Sequence, residues 1–307
     1  MTLDQLLAQA IRQRLPRLEA RMLLACATGR SPEWLVAHGP DEAQEDAVER
    51  FSLLAERRAA GEPMAYLAGI REFFSRPFRV TPAVLVPRPE TELLVEVALA
   101  LVRQVPAPRL LDLGTGSGVL AVTLALERPD AEVTATDVSS EALAVAGANA
   151  ASLGAERVRL RLGDWWQAVD GGDNGFHLVV SNPPYIAAHD LHLAEGDLRF
   201  EPPGALQAGP RGDEALRQII AGAPARLRPD GWLAVEHGHE QGGGCREMMD
   251  QHGLIGIATH RDLEHRERVT VGRTSKRPRQ RERTENINVS SANLPSTAGL
   301  GILIVNP

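Results

Sequence analysis

The sequence predicts an α/β protein in which a small helical domain precedes a mostly parallel sheet. Three observations support this prediction. No strand pattern of any length interrupts residues 1–72, short apolar runs alternate with helical stretches from Arg109 onward, and a cluster of glycines directly follows the first of these runs. Strands that alternate with helices indicate βαβ units around a parallel sheet. A chain of 307 residues is long enough for about two domains.

The helical domain is predicted over residues 1–72. Apolar residues recur at helical spacing near the start of the chain, at Leu3, Leu6, Leu7 and Ile11. Ser31 followed by Pro32 is typical of a helix start, with serine as the N-cap and proline at the first helical position. A further helix is predicted from about residue 41 to residue 60, before the breaker sequence Gly-Glu-Pro.

A β-hairpin linker is predicted over residues 73–89, where prolines punctuate two short stretches at 78–80 and 84–87. A helix from Glu90 to Val102 opens the second domain, which is predicted over residues 90–273. Its strands are predicted at Leu110–Leu113, Glu132–Thr136, Val158–Leu162, His177–Ser181, Trp232–Glu236, Ile255–Thr259 and Arg268–Val271. The last two strands follow each other closely, so we expect an antiparallel edge.

Residues 274–307 lose this pattern. They carry five basic and two acidic residues, so residues 1–273 hold a net charge of −10 within the total of −7. This composition predicts a disordered tail, and a nucleic-acid-binding arm is the alternative. An acidic body is a poor general partner for phosphates, so we do not expect nucleic acid as the substrate.

Composition excludes several other classes of protein. Hydrophobic residues make up 43% and charged residues 24%, which are ordinary globular values. Cys26 and Cys245 form no CxxC pair, which argues against a disulfide framework or a thiolate zinc site, and we expect no metal. The run from Leu93 to Val102 contains Glu96 and is far shorter than the roughly 20 residues of a membrane span. Without a signal-peptide pattern at the start, these features predict a soluble, cytoplasmic protein.

A glycine-rich turn follows the first predicted strand, where residues 114–118 read Gly-Thr-Gly-Ser-Gly and a helix begins at once. Glycines allow a ligand to approach the backbone, and a helix N-terminus offers unpaired N–H groups. Asp137 ends the next strand, where nucleotide-binding α/β folds place a carboxylate that accepts from ribose hydroxyls. Asp112 disfavours a pyrophosphate and favours a cationic ligand, so S-adenosylmethionine fits better than NAD. The alternative is a glycine turn with no ligand.

The turn Asn182-Pro-Pro-Tyr185 ends the fourth predicted strand. The two prolines remove two backbone donors and restrict φ, so the carbonyl groups of Asn182 and Pro183 are expected to point outward as acceptors. With the Asn182 side-chain oxygen, these acceptors match the two N–H bonds of a planar amino group, on which Tyr185 would stack. The alternative is a rigid structural turn.

An Asn-Pro-Pro-Tyr turn after a G-x-G-x-G turn resembles the amino-methylating enzymes among the class I S-adenosylmethionine-dependent methyltransferases, which have a Rossmann-like sheet. Further segments resemble one family among them, the release factor glutamine methyltransferases. These segments are Gly61 to Phe73, Val86-Pro-Arg-Pro-Glu-Thr-Glu92, Phe200-Glu-Pro202 with Ala205-Leu206, and Glu236-His-Gly238 with Gln241. The resemblance covers about residues 1–273.

The resemblance implies a role for each matching residue. The five residues Gly114, Thr115, Gly116, Ser117 and Gly118 would wrap the methionine part of S-adenosylmethionine. Asp137 would hold the ribose hydroxyls, and Asp164 with Trp165 would flank the adenine, with Trp166 as a competitor. The glutamine amide would be bound by Asn182, Pro183, Pro184 and Tyr185, of which Asn182, Pro183 and Tyr185 are the predicted catalytic residues, and Asn182 would also contact the cofactor.

The resemblance also implies that the helical domain docks class 1 peptide chain release factors, whose Gly-Gly-Gln glutamine would receive the methyl group on its amide nitrogen. Arg88 and Glu90 would shape the domain junction or act as structural ion-pair partners. Two alternatives stay open. One is methylation of an amino group of adenine or guanine in a nucleic acid, and the other is a non-catalytic protein that binds S-adenosylmethionine.

Overall fold

The computed structural model describes residues 1–169, 175–194 and 196–276, so most of the predicted tail lies outside the described residues. Residues 1–68 form the helices α1 (Leu3–Arg12), α2 (Arg17–Thr28), α3 (Pro32–Ala37), α4 (Glu45–Ala59) and α5 (Met64–Ala68). Thr2 and Gln5 cap α1 reciprocally, and the Ser31 hydroxyl accepts from the N–H of Trp34 at the start of α3, as the sequence predicts. Buried leucines and Phe51 form the core between these helices.

A β-hairpin follows, but it lies earlier than predicted. Its strands are β1 (Ile70–Phe73) and β2 (Arg76–Arg79), which pair antiparallel around a turn in which Phe74 and Ser75 have φ of 50° and 58°. The predicted strand at 84–87 is wrong. Prolines deprive that stretch of ladder donors, and its alternation reflects burial of Val84 and Val86 instead.

The second region is built on a seven-stranded sheet. Its strands are β3 (Arg109–Leu113), β4 (Glu132–Asp137), β5 (Arg159–Leu162), β6 (Phe176–Ser181), β7 (Leu227–Glu236), β8 (Ile255–Arg261) and β9 (Glu267–Arg273). Their order is β5-β4-β3-β6-β7-β9-β8, parallel from β5 to β7, and β9 runs antiparallel to both β7 and β8. The predicted fold class and antiparallel edge are confirmed.

Helices connect these strands and cover the sheet: α6 (Thr91–Leu101), α7 (Val119–Glu127), α8 (Ser140–Leu153), α9 (Pro203–Leu206), α10 (Glu214–Arg226) and α11 (Gly242–Gln251). Two apolar clusters, one on each face, bury the sheet between them. None of the helices in the described ranges is long and apolar enough to cross a membrane.

The chain order of the strands reverses between β3 and β6. From β3 the chain moves outward to β4 and β5, and it then returns to place β6 on the other side of β3. Ligands of open α/β sheets bind beyond the carboxyl ends of the strands at such a reversal. The glycine turn after β3, Asp137 at the end of β4 and Asn182 after β6 all lie at this point.

Candidate active site

A cavity of about 470 Å³ lies beyond the carboxyl ends of β3, β4 and β6. Its volume falls in the range of small-molecule sites, about 300–1,000 Å³. Predicted site residues that line it are Gly114, Thr115, Gly116, Ser117, Asp137, Asp164, Trp165, Asn182 and Pro184. Linker residues 82–85, Arg88, Thr91 and Pro202 also line it. The fold therefore brings the glycine turn and the asparagine turn to one cavity, although they are distant in sequence.

The glycine turn depends on backbone conformations that favour glycine. Gly114, Gly116 and Gly118 have φ of 73°, 54° and 85°. A methyl group on Gly114 would lie 3.2 Å from the ring of Trp165, whereas one on Gly116 would meet no atom within 4 Å. Gly118 does not line the cavity. It caps α7, and a methyl group there would lie 3.1 Å from the side chain of Ala146.

Asp137 holds the glycine turn at the cavity wall. Its carboxylate accepts one hydrogen bond from the N–H of Gly116 and one from the N–H of Ser139, both at 2.9 Å. A carboxylate has about four acceptor sites, so these two bonds leave capacity for ligand hydroxyl groups.

Asp112 lies fully buried behind the turn. Its Oδ2 accepts from the Thr115 hydroxyl at 2.7 Å and from the N–H of Ala121 at 3.2 Å, while no group among the described residues donates to Oδ1. Burial raises the pKa of Asp112 to about 7, and the charge of Asp137 adds to the rise. An under-satisfied buried carboxyl group favours a cation nearby. Together with Asp137, it suits a ligand that carries both a positive charge and hydroxyl groups.

The structure separates the two neighbouring tryptophans. Trp165 lines the cavity with φ of 42°, and its ring lies over Gly114. Trp166 faces α10 instead, where its indole N–H donates to the carbonyl of Gln218 at 3.0 Å. Trp165 is therefore the flat apolar surface that the cavity offers to a ligand ring.

Asn182 has a defined orientation. Its amide nitrogen donates to the hydroxyl of Thr91 at 3.1 Å. No hydrogen bond from the described residues ends on its amide oxygen or on the carbonyl oxygens of Asn182 and Pro183. The turn therefore presents acceptors, which is the chemistry that an amino group or primary amide requires.

Pro183 and Tyr185 lie behind the cavity wall. Pro183 is buried and Tyr185 is half-buried, and the cavity wall includes neither of them. Burial raises the pKa of Tyr185 to about 12, so its hydroxyl stays protonated at neutral pH. The Gln241 amide nitrogen donates to the Tyr185 carbonyl at 3.2 Å and anchors the turn from behind. The predicted stacking of Tyr185 on a substrate is not visible in this arrangement.

Arg88 belongs both to the cavity wall and to an ion pair. Its guanidinium contacts Glu201 at 2.5 Å, and the second Glu201 oxygen accepts from the N–H of Val86 at 3.2 Å. The Glu201 side chain is fully buried. This pair fastens the segment before α6 to the chain that follows the asparagine turn, so the wall of the cavity is closed from two distant parts of the sequence.

The sequence analysis does not single out Thr91 or Glu236 as site residues, although both lie within segments that resemble the family. Thr91 is 2% exposed and lies at the start of α6, and Glu236 is 1% exposed and ends β7. The two residues become neighbours only when the fold packs α6 against β7. Among the described residues, no cluster of His, Cys, Asp or Glu could hold a metal ion.

Two family models match the chain. One is described as the PrmC N-terminal domain and matches residues 4–69. The other is described as the methyltransferase small domain and matches residues 90–197. A solved methyltransferase structure from Pyrococcus furiosus is 17% identical, covers 73% of this chain and 99% of that chain, and has a TM-score of 0.48.

Several curated relatives share most of the sequence. The chain is 54% identical over 258 residues to the release factor glutamine methyltransferase of Bordetella pertussis, covering 84% of this chain and 95% of that protein. It is 49% identical over 267 residues to the protein of that name in Xylella fastidiosa, covering 87% and 96%. The corresponding values for Neisseria gonorrhoeae are 45% identity over 276 residues, 90% and 99%.

Proposed function

The chain belongs to the family of release factor glutamine methyltransferases, and we propose that it transfers a methyl group from S-adenosylmethionine to a glutamine side chain of class 1 peptide chain release factors. The acceptor is the amide nitrogen of the glutamine in the Gly-Gly-Gln motif. One structural observation supports this proposal independently of the names of the relatives. The acceptor-bearing Asn182 and the glycine turn line the same cavity.

The cofactor half of the site is formed by the turn after β3 and the end of β4. These residues line the cavity: the backbone of Gly114 to Ser117 would hold the methionine part, Asp137 would accept from the ribose hydroxyls, and Trp165 would cover the adenine. When bound, S-adenosylmethionine supplies a methyl group that is activated by its attachment to a positively charged sulfur. The buried carboxyl group of Asp112 lies behind the turn, and in its ionised form it would favour this positive charge.

The substrate half is formed by the asparagine turn. The Asn182 amide oxygen and the carbonyl oxygens of Asn182 and Pro183 accept from the two N–H bonds of the glutamine amide. Pro184 lines the adjoining wall. Tyr185 supports the turn from behind through its backbone bond to Gln241.

Positioning is the main catalytic task because an amide nitrogen is a weak nucleophile. Its lone pair is delocalised into the carbonyl group, and acceptors at both N–H bonds draw electron density back toward nitrogen. They also orient the nitrogen toward the methyl group, and such orientation contributes about 7–11 kcal/mol in favourable cases. As positive charge develops on the nitrogen, the same fixed oxygen dipoles stabilise it. The amide proton leaves during or after the transfer.

The helical region, residues 1–68, docks the release factor in this proposal. Arg58 joins this region to the chain that borders the cavity. Its guanidinium contacts Glu19 of α2 at 2.7 Å and Asp197 at 3.3 Å. Asp197 lies shortly before Glu201, whose ion pair with Arg88 closes the cavity wall. A partner seated on the helices is therefore held next to the site that modifies it.

Incubation with methyl-labelled S-adenosylmethionine and a purified class 1 release factor tests this function. We expect label on the glutamine of the Gly-Gly-Gln motif, located by peptide mass spectrometry, and none on a release factor whose motif glutamine is replaced by alanine. Duplex DNA and ribosomal RNA are the comparison substrates. Label on either nucleic acid, or tight cofactor binding without transfer to any of these substrates, would overturn the proposal in favour of one of the two alternatives.

A further inference from the structure

Three residues outside the cavity wall surround Tyr185, the last residue of the asparagine turn. Gly212 lies just before α10, Gly238 follows β7, and Gln241 is the N-cap of α11. None of these three residues lines the cavity. Segments that are distant in sequence therefore meet behind the end of the turn, and we call the three residues the Tyr185 cradle.

The Gln241 side chain uses both ends of its carboxamide group. Its Oε1 accepts from the N–H of Gly238 at 2.9 Å, and its Nε2 donates to the carbonyl of Gly212 at 2.9 Å and to that of Tyr185 at 3.2 Å. The partners determine this orientation, because a backbone N–H requires an acceptor and the two carbonyl oxygens require donors. A carboxylate of the same shape has no donor and could not make the two bonds to carbonyl groups.

Two glycines let the backbone of the cradle approach the turn closely. Gly212 has φ of 79°, and a methyl group there would lie 2.9 Å from the nitrogen of Ala187 and 3.0 Å from the carbonyl oxygen of Tyr185. A methyl group on Gly238 would lie 3.0 Å from Gln241 Oε1 and 3.6 Å from the Tyr185 ring. A side chain at Gly212 would push the turn away, and one at Gly238 would push Gln241 away, so the contact requires glycine at both positions.

The cradle is supported by the sheet. The Gly238 carbonyl accepts from the N–H of Gln241 at 2.9 Å and lies 2.8 Å from Nδ1 of His237. The other ring nitrogen of His237 lies 2.8 Å from the hydroxyl of Thr270 in β9. His237 and Thr270 are both fully buried. The position of Gln241 is therefore set by the paired strands β7 and β9, and not by a solvent-exposed loop alone.

We propose that Gln241 is a positioning residue that holds the Tyr185 carbonyl in place, so that the asparagine turn directs its acceptors at the glutamine amide. The proposal rests on the function proposed above. Two prolines with restricted φ separate Asn182 from Tyr185, so a displacement of Tyr185 is passed on to the carbonyl groups of Asn182 and Pro183. A misplacement of about 1 Å in a positioning group can reduce the rate about a hundredfold.

Gln241→Glu tests the cradle because glutamate keeps the shape and replaces both N–H donors with an acceptor. The two bonds to carbonyl groups are lost, so we expect kcat to fall about 10–100-fold, the size of two hydrogen bonds. Affinity for S-adenosylmethionine should stay within about twofold, because the glycine turn is held separately by Asp137. Gln251→Glu is the matched control, since Gln251 is exposed and ends the same helix. Its kcat should equal that of the parent. An unchanged kcat in Gln241→Glu, or a loss of cofactor affinity as large as the loss of kcat, would overturn the proposal.

Gly212→Ala displaces the same turn by a different route, because its methyl group meets the backbone of Tyr185 and Ala187. Gly154→Ala is the matched control. Gly154 has the same φ of 79°, but a methyl group there would meet no atom within 4 Å. Both variants should lower the Tm, whereas only Gly212→Ala should lower kcat, by about tenfold or more. Equal kcat values in these two variants would overturn the proposal.

A readout without turnover separates this proposal from the proposed function. Hydrogen exchange measured by mass spectrometry reports the local opening of the backbone in a peptide that covers residues 181–188. This peptide should exchange about tenfold faster in Gln241→Glu than in the parent and in Gln251→Glu, the size of one hydrogen bond. If the parent methylates no release factor, the proposed function fails, and the exchange rates still decide whether Gln241 holds the turn. Equal exchange in the parent and in Gln241→Glu would overturn the positioning by Gln241.

Discussion

The glycine turn and the asparagine turn face the same cavity but are built in opposite ways. The glycine turn takes its shape from three left-handed residues, and its bonds to Asp112 and Asp137 stay within the β3–β4 unit. The asparagine turn takes its shape from two prolines, and its anchors Thr91 and Gln241 are distant in sequence. A local motif thus forms the cofactor half, whereas tertiary contacts orient the substrate half.

The prediction with the largest expected effect tests the substrate half of the site, the asparagine turn. Asn182→Ala removes the side-chain acceptor and frees the substrate amide to rotate, so we expect kcat to fall at least about a hundredfold, with cofactor affinity changed much less. Single-turnover methylation of a release factor measures this. Transfer at close to the parent rate would mean that the turn is only structural.

Asp137→Ala tests the cofactor half in the same way. Hydrogen bonds to charged groups contribute about 1.5–3 kcal/mol, so affinity for S-adenosylmethionine should fall about 10–100-fold. Docking of the release factor should stay unchanged because Asp137 lies on the cofactor side. Calorimetry measures the first quantity and a pull-down with purified release factor the second. Equal cofactor affinity in parent and variant would remove Asp137 from the proposed site.

Backbone substitutions compare the two turns directly through thermal unfolding. Gly116→Ala should cost about 1–2 kcal/mol, because its φ is left-handed while the space around it is open. Gly114→Ala should cost more, since its methyl group also meets Trp165. Pro184→Ala should cost less than about 1 kcal/mol, mainly through greater freedom of the unfolded chain. The reverse order would contradict the contrast drawn between the turns.

The raised pKa of Asp112 predicts how the stability of the protein depends on pH. Its pKa rises from 3.8 in the unfolded chain to about 7 in the fold, so the folded state binds more protons between these values. Stability should therefore fall as pH rises from about 4 to about 7, by up to about 1.4 kcal/mol per pH unit. Asp112→Asn should raise the Tm more at pH 8 than at pH 5. An equal change in Tm at both values would show that Asp112 stays ionised throughout.

Removal of residues 277–307 should have the smallest effect. The predicted tail begins at 274, but the Thr274 N–H donates to the Gly231 carbonyl at 2.9 Å, so the deletion is best started after Lys276. The family resemblance ends at about residue 273, and we therefore expect methyl transfer within about twofold of the parent. A large loss of activity in a variant with unchanged Tm would assign the tail to substrate docking.

Strand positions could be predicted from the sequence because each strand is a short apolar run between turn residues. The predicted strands of the sheet agree with the observed ones within a few residues. The prediction for β7 is five residues too short, because its first half, Leu227 to Gly231, is mostly polar or exposed. The predicted position of the hairpin is wrong because its turn, Phe74-Ser75, lacks the Asn-Gly or Asp-Gly signal of a two-residue turn. Residues 84–87 alternate like a strand because Val84 and Val86 are buried, although no strand forms there.

The sequence by itself determined the fold class, the family and the two turns, since each of these depends on residues that are adjacent or regularly spaced. Only the tertiary structure decided which tryptophan faces the cavity, which end of the Asn182 carboxamide is engaged by Thr91, and that Arg88 closes the wall through Glu201. These outcomes depend on which distant side chains become neighbours when the sheet forms. A hydrogen bond requires both partners within about 3 Å, and spacing along the chain carries no information about such pairs.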